Sequence, residues 1–207
     1  MIPRRLVRVV PEHTSEEVER WWADACALHP SWEHVTLRDP IDPSGFPNTR
    51  EKWGQVCAGA QLADLVRFDE LYCRGGVYID SDVQLFKPLD SLLQLGGFAA
   101  WEDDQAIPNA VLGFEPEHFA LARIIVLAME SVPGNPWHTG VGSVTQILKD
   151  RHHDNVLVLP PDTFYPVHYR VKRLLDTPGY TPEDIRQRLP WCFGLHWYRH
   201  SWAGKGD

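Results

Sequence analysis

The 207-residue sequence lacks several patterns that would define other protein classes. Its four cysteines, Cys26, Cys57, Cys73 and Cys192, are dispersed, so neither a zinc ribbon nor a redox motif is predicted. No run of basic residues is present and the formal net charge is -8, which argues against a nucleic-acid-binding surface. No stretch approaches the roughly 18 apolar residues of a membrane span, and Arg8 interrupts the apolar N-terminus, so no signal peptide is expected. We expect a cytoplasmic location, with peripheral membrane contact as the alternative.

The composition and the hydrophobic pattern predict one α/β domain over residues 1–207. Hydrophobic residues make up 43% of the chain, enough for a sizeable core. Short β-branched runs predict strands at 6–10, 34–37, 77–80, 98–101, 111–114, 156–159 and 193–197. Helical spacing and capping signals predict helices at 14–28, 55–74, 116–131, 141–149 and 182–189, with Thr14 and Thr181 as capping residues. Strands that alternate with helices indicate a mainly parallel sheet flanked by helices.

The helix predicted at 55–74 leads directly into the most informative segment. Asp64, Arg67, Phe68 and Leu71 recur on one side at helical spacing, and apolar residues occupy most other sides, which indicates burial. Two glycines at 75–76 end the helix, and a β run follows.

That β run ends in the acidic triplet Asp80-Ser81-Asp82. On an extended segment the two carboxylates would point to one face about 7 Å apart, where they repel unless a cation lies between them. Oxygen ligands suit a hard divalent cation, and the carboxyl end of a central strand is where open α/β sheets bind ligands. Such a cation can neutralise a departing diphosphate. A solvated turn is the alternative interpretation.

The segment Ala63–Val83 closely resembles the sugar-binding Asp-x-Asp region of glycosyltransferase family 32, whose pattern the large clostridial glucosylating toxins share. The similarity continues through Lys87-Pro88-Leu89 and Phe164-Tyr165-Pro166. Thr139-Gly140 resembles the family's Thr-Gly-Pro element, with Val141 in place of proline. The ending His196…Ser201-Trp202 is also similar.

This resemblance implies a GT-A-type, Rossmann-like mixed sheet and a retaining transfer of a hexose from a UDP- or GDP-sugar, with Mn²⁺ or Mg²⁺ as cofactor. The acceptor would be a glycan, a lipid-linked sugar or a protein, as in polysaccharide biosynthesis. The residues expected to act in catalysis are Asp64, Arg67, Asp80 and Asp82. Those expected to bind the donor are Asp64, Arg67, Tyr78, Asp80, Ser81, Asn109 and Trp202. Those expected to bind metal are Asp80, Asp82, His196 and His200.

Other interpretations stay open. Asp64 and Arg67 could form a surface ion pair, Tyr78 could be strand core, and the two histidines could be structural. One of Glu102, Asp103 and Asp104 is expected near the reacting carbon or the acceptor hydroxyl, the others in an acidic surface loop. A metal-dependent nucleotidyltransferase or phosphohydrolase, and a non-catalytic sugar-binding protein of the same fold, are the alternative functions.

Overall fold

The computed structural model describes residues 1–56, 59–149 and 155–199. Six strands form a mixed sheet in the order β2-β1-β3-β6-β5-β7, and two further strands, β4 and β8, pair separately. The strands are β1 Arg5–Val10, β2 Glu33–Arg38, β3 Gly76–Ile79, β4 Val83–Leu85, β5 Gly97–Ala100, β6 Val111–Phe114, β7 Val156–Leu159 and β8 Gly194–His196. Three of the five pairings in the large sheet are parallel, and only β6 runs antiparallel to its neighbours. The predicted mainly parallel sheet is therefore confirmed.

Six α-helices accompany the strands in the described part of the chain. They are α1 Glu16–Leu28, α2 Arg50–Trp53, α3 Ala60–Arg74, α4 Phe119–Glu130, α5 Ser143–Leu148 and α6 Pro182–Arg188. Thr181 caps α6 as predicted, with a reciprocal capping box to Asp184. None of the described helices is long and apolar enough to cross a membrane.

Two predicted helix starts were wrong. Ser15, not Thr14, caps α1, because its side chain accepts the backbone N–H of Val18. The helix expected from residue 55 begins at Ala60, because Gly59 has a φ of 92°, which an α-helix cannot continue through.

The helix expected at 141–149 also differs from the prediction. A π-helix spans His138–Gly142 and runs directly into α5, so the Thr139-Gly140 pair lies inside a helical segment rather than before one. Such π-helical turns are often found at functional sites.

The two faces of the sheet bury different residues of the same strands. On one face Val7, Tyr78 and Leu112 pack with α3, α4 and α5. On the other face Leu6 and Val77 pack with residues of the connecting segments, among them Phe164. This alternation is the period of two that a β-strand imposes, and it places Tyr78 on the face that the helices cover.

The strand pair β4–β8 joins distant parts of the chain and was only half predicted. The sequence indicated β8 but not β4, whose three residues are too short to show a period. The two strands run antiparallel with Val83 opposite His196. This pairing brings the end of the described chain back to the acidic triplet.

Candidate active site

The acidic triplet forms a tight turn at the end of the central strand β3. β3 ends at Ile79, and the backbone N–H of Val83 donates to the carbonyl of Asp80 at 3.0 Å. The predicted extended geometry was therefore wrong, because the turn folds the two acids back toward β4. Their position at the carboxyl end of a central strand was predicted correctly.

The residues that follow β8 wrap around Asp82. His196 Nε2 lies 3.2 Å from Asp82 Oδ1, and the backbone N–H of Arg199 donates to Asp82 Oδ2 at 2.7 Å. The backbone N–H of Trp197 donates to the Asp82 carbonyl at 2.9 Å. Burial alone would raise the pKa of Asp82, but the His196 charge and these hydrogen bonds lower it to about 2. Asp82 in turn raises the pKa of His196, against the effect of its burial.

Asp80, Asp82 and His196 fit a divalent cation. Each offers one ligand atom, and the three atoms lie within 4.8 Å of one another. Two carboxylate oxygens and one imidazole nitrogen suit Mn²⁺, and Mg²⁺ prefers oxygen ligands with several waters. The Nδ1 atom of His196 is buried and has no hydrogen-bond partner among the described residues, so Nε2 is the ring nitrogen that faces the acids.

Asp80 is held by two side chains that approach from the sheet and from α3. The Tyr78 hydroxyl donates to Asp80 Oδ1 at 2.7 Å, and Arg67 Nη1 lies 3.0 Å from the same oxygen. The Arg67 guanidinium also lies over the Tyr78 ring, 4.4 Å from its centroid. Asp80 Oδ2 makes none of the hydrogen bonds or ion pairs found among the described residues. That oxygen is the one available to a ligand.

Arg67 extends the network from Asp80 to Asp64. Its Nη2 atom lies 3.2 Å from Asp64 Oδ1, and its Nη1 atom donates to the Asn109 carbonyl at 2.8 Å. Burial would lower the pKa of Arg67, but the surrounding acidic groups, led by Asp80, together outweigh it and the pKa is raised. The surface ion pair considered from the sequence is wrong, because the Arg67 and Asp64 side chains are 5% and 7% exposed.

Asp64 is enclosed by Asn109 and Gly140. Asn109 Nδ2 donates to Asp64 Oδ1 at 2.6 Å. A Cβ on Gly140 would lie 2.6 Å from Asp64 Oδ2 and 2.7 Å from Asn109 Nδ2, so only glycine permits this approach. Burial raises the pKa of Asp64 to about 7, although the Arg67 charge and the Asn109 hydrogen bond oppose it. Gly140 belongs to the Thr139-Gly140 pair that the resemblance singled out.

The π-helix that carries Gly140 is fixed to α3 by buried polar contacts. Thr139 is fully buried, and its hydroxyl accepts from Gln61 Nε2 at 2.9 Å and lies 2.9 Å from Ser131 Oγ. This explains why a short polar segment holds its backbone against Asp64 so closely.

The remaining predicted residues fall into three groups. Tyr78 and Ser81 are buried, at 0% and 7% exposure, so Tyr78 reaches the site as a support for Asp80. Asn109 lies at the site, in contact with Asp64. His200 and Trp202 lie outside the described residues.

Comparison with known proteins matches part of this chain to a described family. Residues 11–98 match the family described as "Glycosyltransferase sugar-binding region containing DXD motif". The chain is 29% identical over 119 residues to inositol phosphoceramide mannosyltransferase 3 of Schizosaccharomyces pombe, covering 54% of this chain and 33% of that protein. It is 28% identical over 153 residues to lactosylceramide 4-alpha-galactosyltransferase of Rattus norvegicus, covering 68% of this chain and 41% of that protein. Residues 11–98 are thus similar to the sugar-binding region of DXD-containing glycosyltransferases.

Comparison with solved structures shows that the chain has a GT-A-type fold. PaToxG glycosyltransferase superposes with a TM-score of 0.55 at 15% identity, over 73% of this chain and 70% of that chain. At that identity the similarity shows the fold alone. The chain spans between a third and about two fifths of the two curated relatives just named.

The sequence did not reveal the role of two tyrosines near the triplet, Tyr165 and Tyr198, whereas Glu102 is one of the three acids considered from the sequence. The Tyr198 hydroxyl donates to Glu102 at 2.7 Å, and the Tyr198 ring lies 4.2 Å from the His196 ring. Tyr165 packs edge-on against His196, and its hydroxyl is buried without a hydrogen-bond partner among the described residues. Tyr165 belongs to the Phe164-Tyr165-Pro166 element, which the resemblance noted without a role. Nothing in the sequence marks Tyr198.

Proposed function

We propose that this chain is a retaining glycosyltransferase that transfers a hexose from a UDP- or GDP-sugar to a carbohydrate-bearing acceptor with Mn²⁺ or Mg²⁺. The observation that carries the proposal is the convergence of Asp80, Asp82 and His196, whose ligand atoms lie within 4.8 Å of one another in a GT-A fold. The names of the relatives, which record mannosyl and α-galactosyl transfer, support a hexose and an α-linked product.

In this proposal Asp80, Asp82 and His196 hold the divalent cation, which supplies positive charge to the departing nucleoside diphosphate. The bond between the anomeric carbon and the phosphate oxygen breaks, and a bond to the acceptor oxygen forms on the same face. The acceptor's proton leaves with the diphosphate, so no separate protein base is required.

The buried network behind the triplet binds and orients the donor sugar. Asp64 and Asn109 present polar atoms beside Gly140, whose missing Cβ lets both side chains pack against its backbone. Arg67 links Asp64 to Asp80, so the sugar contact and the metal ligand are fixed relative to each other. Prearranged charges of this kind cost no reorganisation during the reaction.

Incubation with UDP-sugars and GDP-sugars in the presence of Mn²⁺ tests the proposal. Wild type is expected to release a nucleoside diphosphate from at least one donor, and Asp82→Asn to lower that rate about 100-fold or more, since one metal ligand loses its charge. Asp24→Asn is the matched control, because Asp24 is exposed on α1.

The identity of the product separates the alternatives. Release of a nucleoside monophosphate would favour the nucleotidyltransferase or phosphohydrolase, and sugar binding without turnover would favour a non-catalytic protein. The anomeric configuration of the product, read by proton NMR, tests retention.

A further inference from the structure

The structure separates the three acids that follow β5 by what each one contacts. Asp103 folds back on its own loop, where Oδ1 accepts the backbone N–H groups of Gln105 and Ala106 at 2.8 and 2.9 Å, and Oδ2 lies 3.0 Å from His168 Nε2. Asp104 is exposed. Of the three acids, only Glu102 contacts the segment that follows β8, because its Oε1 atom accepts a hydrogen bond from the Tyr198 hydroxyl at 2.7 Å.

Glu102 is held in place through only one of its two carboxylate oxygens. The backbone N–H of Tyr169 donates to the same Oε1 atom at 3.2 Å, so both described hydrogen bonds fall on one oxygen. Oε2 has no hydrogen-bond partner among the residues that the structure describes, and the residue is partly exposed. A carboxylate fixed through one oxygen leaves the other to accept hydrogen bonds from a ligand.

Tyr198 ties Glu102 to the metal ligands at a cost in backbone strain. Its φ is 55°, an uncommon conformation for a bulky residue, and such strain occurs where the surroundings over-determine a functional geometry. The same turn places the Tyr198 ring against His196, and it allows the backbone N–H of Arg199 to reach Asp82. One strained residue therefore joins Asp82 and His196 to Glu102.

Tyr198 places Glu102 near His196. Its hydroxyl donates to Glu102 at 2.7 Å, while its ring lies 4.2 Å from the His196 ring. Tyr165 packs edge-on against the same imidazole. Next to Glu102, Tyr169 is 46% exposed, and its ring contacts the His168 ring at 4.6 Å and the Arg170 guanidinium at 5.7 Å.

The geometry points to Glu102 as the carboxylate that binds a hydroxyl of an acceptor carbohydrate, with Tyr198 as the positioning residue that aims it. This inference rests on the proposed transferase function and names its acceptor class. A hydroxyl-rich sugar supplies hydrogen-bond donors to the Glu102 Oε2 atom, which has no partner among the described residues.

Two rates measured with the same donor test the inference. The probes are UDP-galactose and GDP-mannose, each assayed for hydrolysis to water and for transfer to lactose and to methyl α-mannoside. We expect Glu102→Gln to lower the ratio of transfer to hydrolysis about tenfold or more, through a higher KM for the acceptor. Tyr198→Phe should lower the ratio about threefold to tenfold. The matched control is Asp104→Asn, which should leave both rates at the wild-type value.

A double mutant distinguishes positioning from general support of the fold. If Tyr198 acts through Glu102, adding Tyr198→Phe to Glu102→Gln changes the ratio by less than about twofold, because the two effects are not additive. A purely structural Tyr198 would instead lower hydrolysis and transfer together.

Each remaining outcome has one meaning. A Glu102→Gln variant with the wild-type ratio and acceptor KM overturns the assignment of Glu102. Donor hydrolysis by wild type without transfer to either sugar overturns the carbohydrate acceptor and leaves the donor chemistry intact. Failure of wild type to release nucleoside diphosphate from either donor counts against the transferase function itself.

Discussion

Substitution of Gly140 by alanine tests whether the buried Asp64–Asn109 pair forms the donor-sugar contact. The added Cβ would lie 2.6 Å from Asp64 Oδ2 and 3.0 Å from Asp64 Cγ, closer than carbon and oxygen atoms approach. Asp64 and Asn109 are both buried, so neither can swing into solvent. Their 2.6 Å hydrogen bond must therefore break or shift.

The sizes of the opposing free-energy contributions decide whether Gly140→Ala stabilises or destabilises the fold. A Gly→Ala change inside a helix normally stabilises by about 1 kcal/mol. Overpacking costs about 1–3 kcal/mol, and loss of a hydrogen bond to a charged group costs about 1.5–3 kcal/mol. The net free energy of unfolding should fall by about 1.5–5 kcal/mol, which lowers Tm by roughly 2–4 °C for each kcal/mol.

Isothermal titration calorimetry in the presence of Mn²⁺ compares the affinities of wild type and Gly140→Ala for two ligands. The Kd of the nucleotide-sugar should rise about tenfold or more in Gly140→Ala, since that corresponds to about 1.4 kcal/mol of lost contact. The Kd of the free nucleoside diphosphate should change little, because the metal ligands are elsewhere. Gly45→Ala is the control, because nothing lies within 4 Å of its added Cβ. Equal loss of affinity for both ligands, or for neither, would refute the reasoning.

Two further predictions concern stability away from the site. Asp69 is fully buried on α3 and accepts the backbone N–H groups of Asn48 and Thr49, so Asp69→Asn should lower the free energy of unfolding by about 1.5–3 kcal/mol. Urea titration measures this, and an unchanged midpoint would contradict it. The second prediction concerns Glu19. Burial tends to raise the pKa of Glu19, but hydrogen bonds from Arg8, Thr14 and Arg38 lower it to about 2. Its stabilisation is therefore complete above the unfolded pKa near 4.5 and is lost as the pH falls toward 2. Glu19→Gln should be less stable than wild type at pH 6, with a gap that closes by pH 2; a constant gap would contradict this.

The sequence predicted the core of the fold because its signals were local. The β run before Asp80 and the glycines that end α3 mark the central strand and its acidic end without any knowledge of distant residues. The start of α3 was missed, because the left-handed Gly59 interrupts a pattern whose apolar spacing continues across it. Periodicity cannot show such a φ value.

The parts of the candidate site that the sequence did not predict depend on contacts between distant residues. Asp82 and His196 meet only because β4 pairs with β8, and β4 is too short to recognise from its period. Tyr198 reaches Glu102 only through a left-handed turn that no local pattern requires of a tyrosine. Asp69 reads as one more charge on a helix, and its burial follows from where the chain around Asn48 returns.

Manganese binding measured by electron paramagnetic resonance tests the central claim most directly. Asp80, Asp82 and His196 should hold Mn²⁺ in the presence of UDP or GDP, and protein should remove the signal of free Mn²⁺ beyond what the nucleotide alone removes. Asp82→Asn should weaken that binding about tenfold or more, by analogy with the loss of one charged ligand. Wild-type affinity retained in both Asp82→Asn and His196→Gln would contradict a metal-dependent diphosphate site.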